Sequence, residues 1–261
     1  MRQSMRLLDG ESQPATIADA IRVLRDKLQL LDGQDSKLIS FAGKPQMTHA
    51  FFPGGNGLYD GVHSKRVALG GTVILGSNFC SVSKFIDEDQ RLRSPDERDG
   101  PTWKPLLRIL HDSEIAVEDC FFTNAWPFLH ADDSNLGPVG DWLRNRALMD
   151  SCGAFFELTF SLIKPRLVVG LGTGPAAFLG HVWPDQLAPW TGRRLRHLDD
   201  LAKATVELDS HQAVCVAITH PSMPNARLRR PPYRGRSGEL QLLIEARRQA
   251  DLLETRKSAR R

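Results

Sequence analysis

Four short apolar runs constrain what this chain can fold into. They are Thr72 to Leu75, Cys120 to Phe122, Leu167 to Leu171 and Val214 to Ile218, and each reads as a buried strand. Leu167 to Leu171 is apolar without a break, the mark of a strand covered on both faces. Helical patterns lie between and around these runs. Thr16 to Leu31 sets Ile17, Ile21, Leu24, Leu28 and Leu31 on one face, with Thr16 to cap it and Gly33 to end it. Trp103 to His111 suits a short helix. Trp142 to Ile163 suits a long one stopped by Pro165, Pro175 to Leu179 opens another, and Leu240 to Leu253 closes the chain. Strands alternating with helices imply a parallel sheet covered on both faces. The expectation is a single α/β domain over 1–261: a central, mostly parallel four-stranded sheet flanked by helices on both faces. Residues 1–66 would add an N-terminal helix and loop, and 255–261 a flexible tail. Gly43 to Gly61, with Phe51, Phe52 and Tyr59, reads as a loop able to cover a site. Asp87 to Pro101 and Leu129 to Val139 read as surface connections.

Three of the strands run into polar segments: Gly76-Ser77-Asn78-Phe79-Cys80, Thr123-Asn124-Ala125 and His220-Pro221-Ser222. Polar residues at the carboxyl ends of parallel strands converge on one crevice, where open α/β sheets bind ligands. Gly76 lets the backbone turn and approach a ligand closely. Asn78 presents an amide able to orient a water or polarise a bond; on this segment alone, satisfying the turn's own amides explains it better. Asn124 offers one acceptor and two donors, which suits the Watson–Crick edge of a pyrimidine. The His220 imidazole can donate a hydrogen bond to an oxygen that gains negative charge as a bond breaks. Pro221 stiffens the turn, and Ser222 can hold a phosphate.

Hydrophobic residues make up 41%, enough for a substantial core. The net charge of +3 says little, but its distribution says more. From His220 to Gly238 there are five arginines (Arg227, Arg229, Arg230, Arg234, Arg236) and no acid, a patch that fits a phosphate backbone. A solvated loop would explain about half of them as well. The cysteines, Cys80, Cys120, Cys152 and Cys215, form no close pair, which suits reduced thiols of an intracellular protein. No apolar run approaches a membrane span, and Met1 to Pro14 is polar, unlike a secretory signal. The expectation is a cytoplasmic monomer with a phosphate-backbone partner and with no membrane association, cofactor or metal.

The order of the three polar segments resembles the uracil-DNA glycosylase superfamily. Its members carry a first motif Gly-x-Asp/Asn/Ala-Pro, an Asn after a middle strand and a late His-Pro-Ser. They also have a helix ending in Pro before a strand that finishes Leu-Gly, here Leu162-Ile163-Lys164-Pro165 and then Val168 to Gly172. The similarity spans roughly Gly71 to Arg230. It implies base flipping, with one nucleotide extruded from the duplex and read in a pocket. By this resemblance Asn78 positions the attacking water and His220 stabilises the departing base anion. Asn124 reads the base edge, in a pocket with Gly76, Ser77, Phe79 and Cys80. Ser222 grips a flanking phosphate, Met223 or Leu228 is the apolar wedge, and Arg227, Arg229 and Arg230 hold further phosphates.

The departures from the family pattern carry information too. Phe79 replaces the usual Pro, and Asn78 stands where the strongest general base would be Asp, so electrostatics rather than proton abstraction would carry the reaction. Cys80 fills the place of the pocket tyrosine that blocks thymine, leaving room for a substituent on carbon 5 of the base. Phe79 or Phe85 would stack on the base, and the Gly43 to Gly61 loop could contact a large substituent. The resemblance thus implies a monofunctional DNA glycosylase for a bulky 5-modified pyrimidine, such as a hypermodified cytosine of phage DNA, in antiviral defence. Uracil or mismatch repair is one alternative and a catalytically inactive DNA-binding member the other. No Lys lies within the three motifs to form a Schiff base. The iron–sulfur clusters of some members use an N-terminal cysteine pair, and no cysteine precedes Cys80. Two other motifs are weaker. Gly170-Leu171-Gly172-Thr173-Gly174 has Pro175 where the dinucleotide fingerprint needs Gly, and reads as a strand-to-helix turn. Ser81-Val82-Ser83-Lys84 matches an acyl-enzyme pattern whose other elements are missing.

Overall fold

The computed structural model describes residues 17–28, 38–40, 69–78, 81, 83, 102–130, 143–192, 203–223 and 235–258. In chain order they form α1 (Ile17–Leu28), β1 (Leu38–Ser40), β2 (Thr72–Asn78), α2 (Trp103–Asp112), β3 (Cys120–Trp126) and β4 (Phe128–His130). Next come α3 (Arg146–Ile163), β5 (Leu167–Leu171), α4 (Thr173–Val182) and the single turn α5 (Pro184–Leu187). The chain continues with β6 (Lys203–Leu208), β7 (His211–Ile218) and α6 (Gly235–Ser258).

The main sheet runs in the order β3-β2-β5-β7-β6. Its first four strands are parallel, and β6 lies antiparallel to β7. Every residue of β3 and β5 is buried. Successive strand residues point to opposite faces, so both faces of the sheet are covered. This is the α/β arrangement expected from the alternation of elements, with five strands rather than four.

The additional strand is β6, and its pattern explains why it escapes a search for apolar runs. Lys203, Thr205 and Glu207 alternate with Ala204, Val206 and Leu208, the period of a half-buried edge strand. Asp209 and Ser210 join it to β7 with φ of 49° and 64°, positive at both central positions of a two-residue hairpin turn. Without glycine, that turn leaves a weak sequence signal. α6 fastens the edge: Lys203 pairs with Glu245, and Gln249 Nε2 donates to Thr205 Oγ1 at 3.2 Å.

A second, two-stranded sheet pairs β1 antiparallel to β4, with Leu38 opposite His130 and Ser40 opposite Phe128. The stretch expected as a connection from Leu129 therefore begins as strand, and the N-terminal region contributes a strand as well as a helix. α1 lies against α3, with Ala20 and Leu24 fully buried. Of the expected apolar face, the Ile17, Ile21, Leu28 and Leu31 side chains lie outside the described residues.

α3 begins after Trp142, at an N-cap. Asn145 is extended, and its side-chain oxygen accepts the Leu148 N–H at 3.1 Å. The helix ends with Lys164 in the left-handed region at φ 50°, just before Pro165. Its aromatic rings reach α4 and the sheet. Phe156 meets Phe178 and Trp183 edge-on, and Phe178 meets Trp126 edge-on at 5.6 Å. That cluster supports the carboxyl end of β3. α6 is longer than its apolar pattern suggests, starting before Leu240 and staying helical to Ser258, so part of the expected tail is helix.

Candidate active site

Strand order locates the crevice. From β2 the chain passes to β3 on one side, whereas β5 and β7 follow on the other. Between β2 and β5 the connections therefore diverge, and ligands bind outside the carboxyl ends of the strands at such a point. Those ends carry Gly76 to Asn78 on β2, Asn124 to Trp126 on β3, Gly172 after β5, and Thr219 and His220 after β7.

Register brings the two asparagines to one face. Gly76 lies opposite Asn124, and Asn78 opposite Trp126. In-register neighbours share a face, as do residues two apart along a strand. Asn78 and Asn124 thus project from the same side, with the buried Gly76, which has no side chain, between them. The expectation placed both just beyond their strands. Instead Asn78 is the last residue of β2, and Asn124 is the fifth of seven in β3. The ladder holds them more rigidly than a loop would. Asn124 is 4% exposed. The Asn78 amide nitrogen is enclosed and makes no hydrogen bond. An enclosed donor without an acceptor costs about 1–3 kcal/mol, so this one marks a place where a ligand acceptor would be welcome.

His220 is held from three directions. Its Nδ1 lies 2.7 Å from Ser222 Oγ, and the Ser222 backbone N–H donates to the same nitrogen at 3.3 Å. A backbone N–H can only donate, so Nδ1 is the acceptor, and a neutral imidazole then carries its proton on Nε2. Met223 N–H bonds His220 O at 2.9 Å and closes the turn over Pro221. On a second side Gly172, at φ 94°, lies against the histidine: a Cβ there would stand 3.3 Å from His220 Cβ. On a third, the Thr219 N–H and hydroxyl donate to the Glu239 carboxylate at 3.1 and 2.5 Å.

Ser222 thus orients the imidazole, a contact the sequence did not suggest for it. Met223, the next residue, is 60% exposed. Ser77 is half-buried beside Asn78. Phe79, Cys80, Phe85, Arg227, Leu228, Arg229 and Arg230 lie outside the described residues, as do Phe51, Phe52 and Tyr59. Two residues that shape the site were not among the expected ones. Gly172 was legible only as a strand-to-helix turn, which it forms between β5 and α4. Glu239 had no local signal, because its partner lies 20 residues upstream.

Burial holds the thiols of Cys120, Cys152 and Cys215 far above the ordinary range. For Cys120 the nearby Asp119 and Glu118 add to the effect, and the thiol donates to Ala116 O at 3.4 Å. These are core groups, not reactive ones. Among the described residues no group of His, Cys, Asp or Glu side chains is arranged to hold a metal ion. No helix among them is long and apolar enough to cross a membrane. The strand ends carry two asparagine amides and an imidazole, groups that can both donate and accept hydrogen bonds. That inventory can hold a planar ligand with alternating donors and acceptors and stabilise negative charge on it. No protein-family model matches the chain, and no curated protein matches it.

Proposed function

We propose that the protein is a DNA glycosylase of the uracil-DNA glycosylase type that flips out a pyrimidine and hydrolyses its N-glycosidic bond. The observation that carries this reading is the fixed imidazole. The His220 Nδ1 accepts from Ser222, which fixes the imidazole just past β7, and Asn78 and Asn124 stand at the carboxyl ends of β2 and β3 in the same sheet. In this mechanism the Asn124 amide reads the Watson–Crick edge of the extruded base. The bond between the base nitrogen and sugar C1′ lengthens, and its electron pair leaves with the base. The Nε2–H of His220 donates to the base oxygen on which that charge collects. Asn78 orients a water whose oxygen bonds to C1′, and the proton released ends on the departing base. No covalent bond to the protein forms.

The exposed Met223 beside the histidine suits a wedge that fills the gap in the duplex, and the arginines that follow it suit phosphates. The substrate class follows from Cys80: a small residue in the tyrosine's place admits a 5-substituted pyrimidine, and a hypermodified cytosine of phage DNA is the proposed target. The test is a single-turnover assay on oligonucleotides carrying uracil, thymine mismatches or 5-modified cytosines, read as alkali-labile abasic sites. Cleavage at a 5-modified base supports the proposal. Cleavage at uracil alone assigns the protein to repair, and tight DNA binding with no abasic site on any substrate makes it an inactive binder.

A further inference from the structure

We propose that Glu239 is a positioning residue for His220, acting through the peptide of Thr219. The carboxylate is buried, with 1% of the residue exposed, on a helix remote in sequence from the motifs. Enclosing a carboxylate is costly unless hydrogen bonds replace its water. Here Oε2 accepts the Thr219 N–H and Oε1 the Thr219 hydroxyl, so both oxygens serve one residue, which is itself 5% exposed. Bonds to an ionised acceptor are stronger and more directional than neutral ones.

The choice of Thr219 gives this contact its consequence. The β5–β7 ladder ends at Ile218, whose carbonyl accepts the Gly172 N–H at 2.8 Å. Thr219 is the first residue past the ladder, and the Glu239 carboxylate supplies the acceptor that its N–H would otherwise lack. The geometry of the strand is thereby extended to the residue that precedes the imidazole. Gly172 bounds His220 from below and Ser222 fixes its ring, but neither holds the backbone on the strand side. The contact also joins the two ends of the arginine-rich segment, because its partners lie 20 residues apart around it. The effect on rate rests on the glycosylase reading, whereas the effect on the imidazole does not.

The experiment compares wild type, Glu239→Ala, Glu239→Gln and Thr219→Val in single-turnover rate, DNA affinity and the long-range ¹H–¹⁵N spectrum of His220. His220→Gln assigns the imidazole signals, and thermal unfolding reports integrity. A displacement on the order of 1 Å costs roughly 10²-fold in rate, and Glu239→Ala is expected to lose about that much at unchanged DNA affinity. Its imidazole should lose the fixed Nε2–H signature. Glu239→Gln should recover most of both, because its amide oxygen still accepts the Thr219 N–H and its nitrogen can donate to the hydroxyl. Thr219→Val should fall between. Wild-type imidazole signals in folded Glu239→Ala would overturn the proposal; if that variant does not fold, undisturbed signals and rate in Thr219→Val would do so. Failure of Glu239→Gln to recover what Glu239→Ala loses would overturn it too. If wild type cleaves no DNA, the glycosylase reading fails and the spectra alone decide the role of Glu239.

Discussion

Gly172 and His220 meet so closely that a side chain at position 172 would crowd the histidine. A Cβ on Gly172 would stand 3.3 Å from His220 Cβ, tighter than ordinary van der Waals contact, and Gly172 has φ 94°, where a side chain is strained regardless of space. The turn that ends β5 thus shapes the floor beneath a histidine that follows a different strand. Gly172→Ala is expected to lose about 1–3 kcal/mol of stability from backbone strain. It should also push the imidazole outward and lower the single-turnover rate. Denaturant unfolding and the abasic-site assay check the two effects separately; an unchanged midpoint would mean that the turn relaxes freely.

His220→Ala should reduce the single-turnover rate about 10²–10³-fold while DNA binding stays close to wild type, because the lost donor acts only on developing charge. Ser222→Ala should be milder, since the backbone N–H at position 222 still reaches Nδ1. If Ser222 chiefly held a phosphate, its loss would weaken DNA affinity rather than rate, and the two measurements tell these roles apart.

Asn78 should show opposite effects on stability and activity. Its enclosed amide nitrogen lacks an acceptor, so Asn78→Ala removes an unsatisfied donor worth about 1–3 kcal/mol. The thermal midpoint is expected to hold or rise while base excision falls. A lower midpoint together with unchanged excision would assign Asn78 to the fold rather than to the site.

Stability should decline in alkali. Burial raises the thiol pKa values of Cys120, Cys152 and Cys215 in the folded state. Below about pH 8.5 the thiols stay protonated in both states, and their contribution is fully present. Above it the unfolded chain loses protons that the folded chain keeps, so each thiol lowers stability by about 1.4 kcal/mol per pH unit. Urea titrations between neutral pH and moderate alkali check the sign. Alkylating reagents should modify these three cysteines only after unfolding, and rapid labelling of the native protein would contradict their burial.

Cys80 is the residue on which substrate choice is expected to turn. The wild type should excise a 5-substituted pyrimidine faster than uracil, and Cys80→Tyr should reverse that preference by closing the carbon 5 side. Competition between the two substrates in one reaction measures the ratio directly. Efficient uracil removal by wild type, with no action on any 5-modified base, would place the protein among the repair enzymes.

Some of this was legible in the chain itself. β2, β3, β5 and β7 declared themselves because a strand covered on both faces carries a run of apolar residues without alternation. Pro165 marked the end of α3, because proline cannot continue a helix. The chain order of Asn78, Asn124 and His220 was likewise readable, and with it the idea of a polar crevice. Local pattern could not supply β6, which is half-buried and turns on Asp209 and Ser210, or the pairing of β1 with β4. Nor could it supply strand order, and strand order sets Asn124 opposite Gly76 and puts the point where the connections diverge between β2 and β5. The reach of Glu239 to Thr219 and the contact of Gly172 with His220 belong to the same class. Residue types and their periodicity record burial, a property of each segment alone. Register, strand order and the partner of a buried carboxylate are relations between distant segments, and they exist only once the chain has packed.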